Sequence, residues 1–464
     1  MSKNKKYDYD LIIIGSGAGG GVAAHQANKA GLSVAIVEGG QVGGECPNVA
    51  CIPTKALLEA ASVYETAKNG ARFGIRGSTV SYNFPSVKAW KNLAVERTGA
   101  NLGEKMYTDE GINIINGSAH FLDKNTITVG RARFSAKYFI IATGAKTVVP
   151  KIEGLEKAGY LTYADAINLN RPPKSLAIIG GGAVGCEFAQ LFSIFGTKVH
   201  IIESGNRLLK KEDKEAGGFL KVRLESEYSA SVHESTRVEK VELFGGKKRL
   251  FVKNAKTGKV ERVTVDEILV ATGKKAAIDI GLENAGVKNR TGLIAVNSYM
   301  QTTSENIFAA GDCVGPYQFT HMATYQSKIA ANNILYPRKK MSAKYRAVTR
   351  CIFTNPELAS VGLTEAELRS KQISFDKVIV PINVIGRANT ADESDGFVKI
   401  IASSKTGMLL SATIASPRAG EMIHELTVAI ENRLKAAQVA NTIHAFPTWS
   451  DAVRVACAKL SATN

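Results

Sequence analysis

Cys46 and Cys51 stand in the segment Gly43-Gly44-Glu45-Cys46-Pro47-Asn48-Val49-Ala50-Cys51-Ile52-Pro53-Thr54-Lys55. Behind a glycine pair, the two thiols can lie one helical turn apart and close a disulfide at an unstrained distance. The segment follows a glycine pattern of the kind that binds dinucleotides, so the pair is expected beside a bound electron carrier. A disulfide in that place is a redox relay. The other cysteines, Cys186, Cys313, Cys351 and Cys457, are scattered and read as small buried or half-buried thiols. No Cys/His cluster has zinc-ligand spacing, so no metal ligand is assigned.

The elements that must position the pair come before it. Tyr9 to Ile14 reads as a buried strand, and Gly15-x-Gly17-x-x-Gly20 opens a helix expected from about Gly21 to Ala30. A second strand, Ser33 to Val37, ends in Glu38. In such a unit Gly15 makes the tight turn and Gly17 lets backbone approach a pyrophosphate. Gly20 permits close helix–strand packing, and the helix N-terminus offers N–H groups to phosphate. Glu38 is placed to accept hydrogen bonds from ribose hydroxyls.

The pattern then repeats. A strand Ser175 to Ile179 precedes Gly180-x-Gly182-x-x-Gly185, a helix from Glu187 to about Phe195, and a strand Lys198 to Ile202 ending in Glu203. Two such units imply two dinucleotides. A carboxylate at Glu203 bonds the 2′-hydroxyl of NAD and repels the 2′-phosphate of NADP, which favours NADH. Arg207, Lys210 and Lys211 follow and leave room for some use of NADPH.

Together these motifs closely resemble the flavin-dependent pyridine-nucleotide disulfide oxidoreductases, the family of dihydrolipoamide dehydrogenase, glutathione reductase and mercuric reductase. The family's cysteine motif is Gly-Gly-x-Cys-x-Asn-x-Gly-Cys-x-Pro-Ser-Lys, and this chain differs by Ala50 and Thr54. The resemblance runs from about residue 8 to 460. It implies FAD in the first unit and a nicotinamide cofactor, NAD(H) more than NADP(H), in the second. Cys51 would then face the flavin and Cys46 the acceptor, with Lys55 and Glu187 as a pair beside the reactive flavin nitrogen. Further cofactor-binding positions implied are Gly44, Ala119, Thr143, Gly144, Val238 and Gly273. Asp312 would bond the ribityl chain, and Thr320 and His321 would lie over the isoalloxazine. Taken alone, His321 reads as a satisfied core histidine.

The implied fold is α/β, with two Rossmann-like dinucleotide-binding domains and a C-terminal α+β dimerisation domain. FAD would occupy residues 1–150 and 277–347, the nicotinamide 151–276, and the dimer interface 348–464. The segment Phe353 to Gly362 looks like the start of that interface domain, so a homodimer is expected.

The C-terminal end departs from the disulfide-reducing relatives, which read His-Pro-Thr-x-Ser-Glu. This chain reads His444-Ala445-Phe446-Pro447-Thr448-Trp449-Ser450-Asp451. Phe446 takes the acid/base position and cannot shuttle a proton, a role typically worth ~10²–10⁴-fold. Asp451 replaces the orienting glutamate, and His444, two residues upstream, is the remaining candidate acid/base. An aromatic before this proline is shared with mercuric reductases, although the tyrosine after the proline and the vicinal C-terminal cysteines are missing. The expected function is an NADH-dependent flavoprotein that passes electrons through Cys46–Cys51 to a small acceptor, mercuric-reductase-like. The alternatives are a dihydrolipoyl dehydrogenase and a non-turnover flavin redox sensor.

At 464 residues, the chain suits about three domains. It is 45% hydrophobic and 22% charged, and no apolar run approaches the ~20 residues of a membrane span. The basic opening Met1 to Lys6 lacks the apolar stretch of a signal peptide, so a cytoplasmic protein is expected. The net charge of +17 is spread along the chain, with no aromatics interleaved in its short clusters. It reads as a solvated surface, which argues against nucleic-acid binding.

Overall fold

A computed structural model describes residues 6–75 and 79–462, so Met1–Lys5 of the basic opening lie outside the described residues. The chain divides into two compact units. The first comprises residues 1–57, 85–148 and 273–344, and the second 58–84, 149–272 and 345–464.

In the first unit, strand Tyr9–Ile14 pairs in parallel with Val34–Glu38 on one side and Ala132–Ile141 on the other. Strands Asn113–Asn116 and Ile307–Ala309 extend the parallel part outward. Near-continuous runs such as Leu11-Ile12-Ile13-Ile14 suit a sheet covered on both faces. Ile12, Ile14, Val37 and Ile141 enter one core. Leu11, Ile13, Ile36 and Ile140 enter the other, with Ala23, Ala24 and Ala27 of helix Ala18–Lys29 and Ile329 and Ala330 of helix Thr320–Leu335.

The second unit holds a four-stranded parallel sheet in the order 231–233, 198–202, 175–179, 267–270. A three-stranded antiparallel sheet follows, built from Thr236–Phe244, Lys247–Asn254 and Val260–Val265. Its C-terminal part is a five-stranded antiparallel sheet carrying helices Ala419–Glu431 and Asp451–Ser461. The α/β class and the Rossmann-like sheets are therefore as expected. No helix among the described residues is long and apolar enough to cross a membrane.

The two fingerprint helices start earlier than expected, at Ala18 rather than Gly21 and at Ala183 rather than Glu187. In each case the middle glycine, Gly17 or Gly182, is the N-cap. Glycine's poor helix propensity is overridden because the first turn packs on the preceding strand. A Cβ at Gly20 would sit 1.8 Å from the Gly15 carbonyl oxygen, and one at Gly185 2.0 Å from that of Gly180.

Candidate active site

The two fingerprints place one carboxylate each in the same way. Glu38 Oε2 accepts from the Ser16 N–H at 2.8 Å and from the Ser16 hydroxyl at 2.6 Å, and Oε1 accepts from Gly40 N–H at 2.7 Å. In the second unit Glu203 Oε2 accepts from the Gly181 N–H at 2.6 Å and Oε1 from the Gly205 N–H. Donor and acceptor are 22 residues apart in both units. Each carboxylate is held at the end of its strand with lone pairs left for a ribose. Neither helix has a side-chain cap, so first-turn amides remain for phosphate.

Arg207, expected to permit some NADPH use, is committed elsewhere. Its guanidinium donates to the carbonyls of Leu209 at 2.9 Å, Lys210 at 3.0 Å and Glu212 at 2.7 Å. It folds the loop after Glu203 and does not extend as a phosphate ligand.

Ser16 also ties the first fingerprint to the cysteine segment, because its hydroxyl accepts from the Gly43 N–H at 2.9 Å. Gly44, at φ +75°, comes so close to the fingerprint that a Cβ there would lie 2.7 Å from Gly17 Cα. Asn48 closes the loop by donating to the carbonyls of Val42 at 3.0 Å and Gly44 at 2.8 Å. The cysteines do not share one continuous helical turn, as the spacing suggested. Cys46 lies in a short helix, Glu45–Asn48, that ends at Val49, and Cys51 opens a second helix running to Lys68. Pro47 and Pro53 sit at first-turn positions of the two helices, where a missing N–H costs little.

Both cysteines are free thiols here and hydrogen-bond each other across the break. The Cys46 hydrogen bond is the main influence holding the Cys51 thiol down to about 6. Burial opposes it, while the Thr320 hydroxyl, 3.4 Å from Cys51 Sγ, and the charges of Lys55 and Lys274 assist. The same hydrogen bond and burial push the Cys46 thiol up. One thiolate and one thiol therefore share the proton between them, with Cys51 as the anion.

Lys274 was not anticipated from sequence. It pairs with Glu45 Oε2 at 2.5 Å, next to Cys46, and its charge also reaches Asp312. Burial lifts the Asp312 carboxyl above its usual range and Lys274 partly restores it. Gln326 is a second residue missed; fully buried, it accepts from Gly311 N–H at 2.8 Å and fixes the turn before Asp312. Thr320 and His321 open the helix Thr320–Leu335. The core reading of His321 fails, because its ring is exposed and stacks on Phe319 at 5.3 Å. Thr143 and Gly144 follow strand Ala132–Ile141, and buried Ala119 starts the strand Ala119–Asp123.

In the second unit, buried Glu187 accepts from the Phe353 N–H at 2.9 Å. Gly273 follows the strand Glu267–Val270 in sequence and falls in the first unit. Val238 is buried at a bulge in strand Thr236–Phe244. His444 Nε2 lies 2.6 Å from Glu425 Oε1, and Nδ1 lies 2.8 Å from the Thr442 carbonyl. Both partners are acceptors, so both bonds form fully only when the ring carries two protons. Asp451 does not serve as a histidine orienter; it is buried and bonds Arg454 Nε at 2.7 Å. Phe446 is 77% exposed.

Residues 9–327 match the family described as pyridine nucleotide-disulphide oxidoreductase, and residues 348–457 match its dimerisation domain. The chain belongs to the pyridine nucleotide-disulphide oxidoreductases. The oxidoreductase is 33% identical to a mercuric reductase of Staphylococcus aureus over 455 residues, 98% of this chain and 82% of that protein. It is 34% identical to a dihydrolipoyl dehydrogenase of Geobacillus stearothermophilus over 450 residues, 95% of this chain and 94% of that protein. Among solved structures it matches the HOCl-induced flavoprotein disulfide reductase RclA of Escherichia coli, captured as a Cu(II) complex. That match has a TM-score of 0.86 and 28% identity, covering 99% of this chain and 100% of that one.

The oxidoreductase is accordingly an FAD-binding, NAD(P)H-dependent enzyme. Its residues fit both cofactors. The backbone at Gly17 and Gly182 is bare enough for a pyrophosphate, since a Cβ at Gly182 would meet nothing within 4 Å. Asp312 is a half-buried carboxylate suited to accept from polyol hydroxyls.

Proposed function

We propose that this oxidoreductase is a cytoplasmic homodimer that takes electrons from NADH and passes them through Cys46 and Cys51 to a small thiophilic acceptor, as mercuric reductases do. In this reading residues 1–150 and 277–347 hold FAD, 151–276 hold the nicotinamide and 348–464 form the dimer interface. Bound FAD supplies the two-electron chemistry between nicotinamide and the cysteine pair.

The observation that carries the reading is the polarised cysteine pair, with Cys51 held as a thiolate by the Cys46 thiol, Thr320 and Lys55. Lys55, in the first unit with the cysteine pair, supplies a cation that stabilises negative charge on the reduced flavin. Glu203 selects NADH, and the engagement of Arg207 with loop carbonyls removes the one guanidinium near enough in sequence to favour a 2′-phosphate. A soft metal ion binds thiolate directly and needs no proton shuttle, so Phe446 is no obstacle to it. Mercuric ion leads, and the Cu(II) complex of the solved neighbour adds cupric ion to the set.

The His444–Glu425 pair favours a second reading, dihydrolipoyl dehydrogenase, with His444 moving the proton. An acceptor panel under NADH decides between them. Rapid NADH turnover with mercuric or cupric ion, against slow reduction of lipoamide by NADH and slow oxidation of dihydrolipoamide by NAD+, supports the proposal. The reverse order supports the second reading, and a single reduction without turnover marks a redox sensor.

A further inference from the structure

His200 and His233 lie on neighbouring strands of the parallel sheet in the second unit, and the dinucleotide and cysteine sites use neither ring. Register puts both on one face. His200 is opposite Ala177 and Ser231, His233 is opposite Ile202, and directly opposed residues share a side. Ala177 and Ile202 enter the core that this sheet shares with the antiparallel three-stranded one. Both rings are half-buried beside that aliphatic layer.

His200 Nδ1 lies 3.5 Å from His233 Nε2, the ring centroids are 5.7 Å apart and the ring planes differ by 25°. The centroid separation exceeds the nitrogen separation by about two ring radii. The two nitrogens therefore point at each other along the line that joins the rings. A protein hydrogen bond usually closes to about 3.0 Å, so this one is long. Two metal–nitrogen bonds of ~2.0 Å laid end to end span only about 0.5 Å more than the gap observed. The terminal ring torsion of histidine is soft, and a small rotation makes up the difference. Burial, with His233 and Lys198, holds the His200 ring down to about 4. Burial also holds His233 below the ordinary imidazole range, against Glu261 and Glu225. Both rings are thus neutral at neutral pH, the form that binds metal. With each proton on the outer nitrogen, Nε2 of His200 and Nδ1 of His233, both inner lone pairs are open.

We propose that His200 and His233 form a two-coordinate site for a cuprous ion, held between Nδ1 of the first and Nε2 of the second. The donor number selects the ion. Zinc takes four ligands, and calcium or magnesium takes six or more that are mostly oxygen. Among the described residues, no group of three or more His, Cys, Asp or Glu side chains could hold a metal. A closed-shell cuprous ion is satisfied by two borderline or soft donors in line, and imidazole suits copper. Glu261 adds an anion. It stands in the core-facing row of its strand with Val263 and Val265, and its charge acts on His233. Its partner Lys259 is exposed, so that pair leaves most of the carboxylate's pull in place. Binding involves no electron transfer and does not depend on which acceptor the cysteine pair serves.

The test is anaerobic titration of cuprous ion into the FAD-loaded Cys46→Ser/Cys51→Ser enzyme against the chelator bicinchoninate, the double substitution removing the relay thiols. One ion per chain should bind, with the X-ray absorption edge of the two-coordinate form. In that background His200→Leu and His233→Leu should each abolish binding. His233→Met returns a donor as a thioether and should retain the ion, a rescue that a hydrogen bond of structural value alone would not show. Flavin content shows that each variant is folded. Absence of copper binding before either histidine is changed overturns the proposal. So does an ion that survives both leucine variants, which would place it on the remaining thiols, or a His233→Met that binds no better than His233→Leu. Zinc ion bound more tightly than cuprous ion through the same two rings also overturns it, in favour of a site completed by further ligands.

Discussion

The Cys46 thiol donates its hydrogen to the Cys51 sulfur across a break between two helices, and this bond does most to keep Cys51 ionised. The thiolate is present above about pH 6 and is lost as pH falls through that value. Cys46→Ala removes the donor, so the Cys51 midpoint should rise by about one unit or more toward the ordinary thiol range. Titrating thiolate absorbance in the two-electron-reduced wild type and in oxidised Cys46→Ala, whose lone Cys51 thiol needs no reduction, measures it. An unchanged midpoint would mean that Thr320 and Lys55 suffice.

Glu203 should make the Michaelis constant for NADH lower than that for NADPH. Removing its charge in Glu203→Ala should narrow the gap by about tenfold, mainly by weakening NADH, since charged hydrogen bonds are worth about 1.5–3 kcal/mol. Steady-state kinetics with both nucleotides checks this. A wild type preferring NADPH would show that the carboxylate is not the selector.

Phe446→His should raise dihydrolipoamide turnover by about tenfold without changing reduction by NADH. The gain should stay near the low end of a full acid/base effect. Asp451 is held by Arg454 and His444 by Glu425, so neither carboxylate is free to orient the new imidazole. Lipoamide kinetics across neutral pH are the measurement. Brisk wild-type activity that the substitution leaves alone would contradict the role given to Phe446.

Lys399 is 1% exposed at its side chain and touches Asp213 at 3.0 Å, Glu215 at 2.8 Å and Glu365 at 2.9 Å. Lys399→Met should destabilise this unit by about 3–5 kcal/mol, because it strands three clustered carboxylates. The midpoint of denaturant unfolding should fall clearly, and should partly recover at low pH where carboxylates protonate. A midpoint unchanged at neutral pH would show that Lys377 and Arg369 already compensate Glu365.

What was legible in the sequence is what is local. Strand Tyr9–Ile14, its repeat at Ser175–Ile179 and the acids at Glu38 and Glu203 follow from patterns within thirty or so residues. Helix starts were placed late because glycine reads as a breaker until the strand behind it is seen. The break at Val49 between the cysteines, the stacking of His321 on Phe319 and the clamping of Arg207 depend on backbone detail that spacing does not carry. Lys274, Gln326 and Glu425 meet their partners across 229, 15 and 19 positions. No period or motif marks them.

The account stands on Cys51 as the thiolate that meets the flavin. Anaerobic addition of NADH to the purified protein, followed by absorbance at wavelengths beyond the main flavin bands, tests this most directly. The wild type should develop a thiolate–flavin charge-transfer band, and Cys51→Ser should lack it while its flavin still accepts electrons from NADH. A band that survives Cys51→Ser, or its absence in the wild type, would contradict the relay.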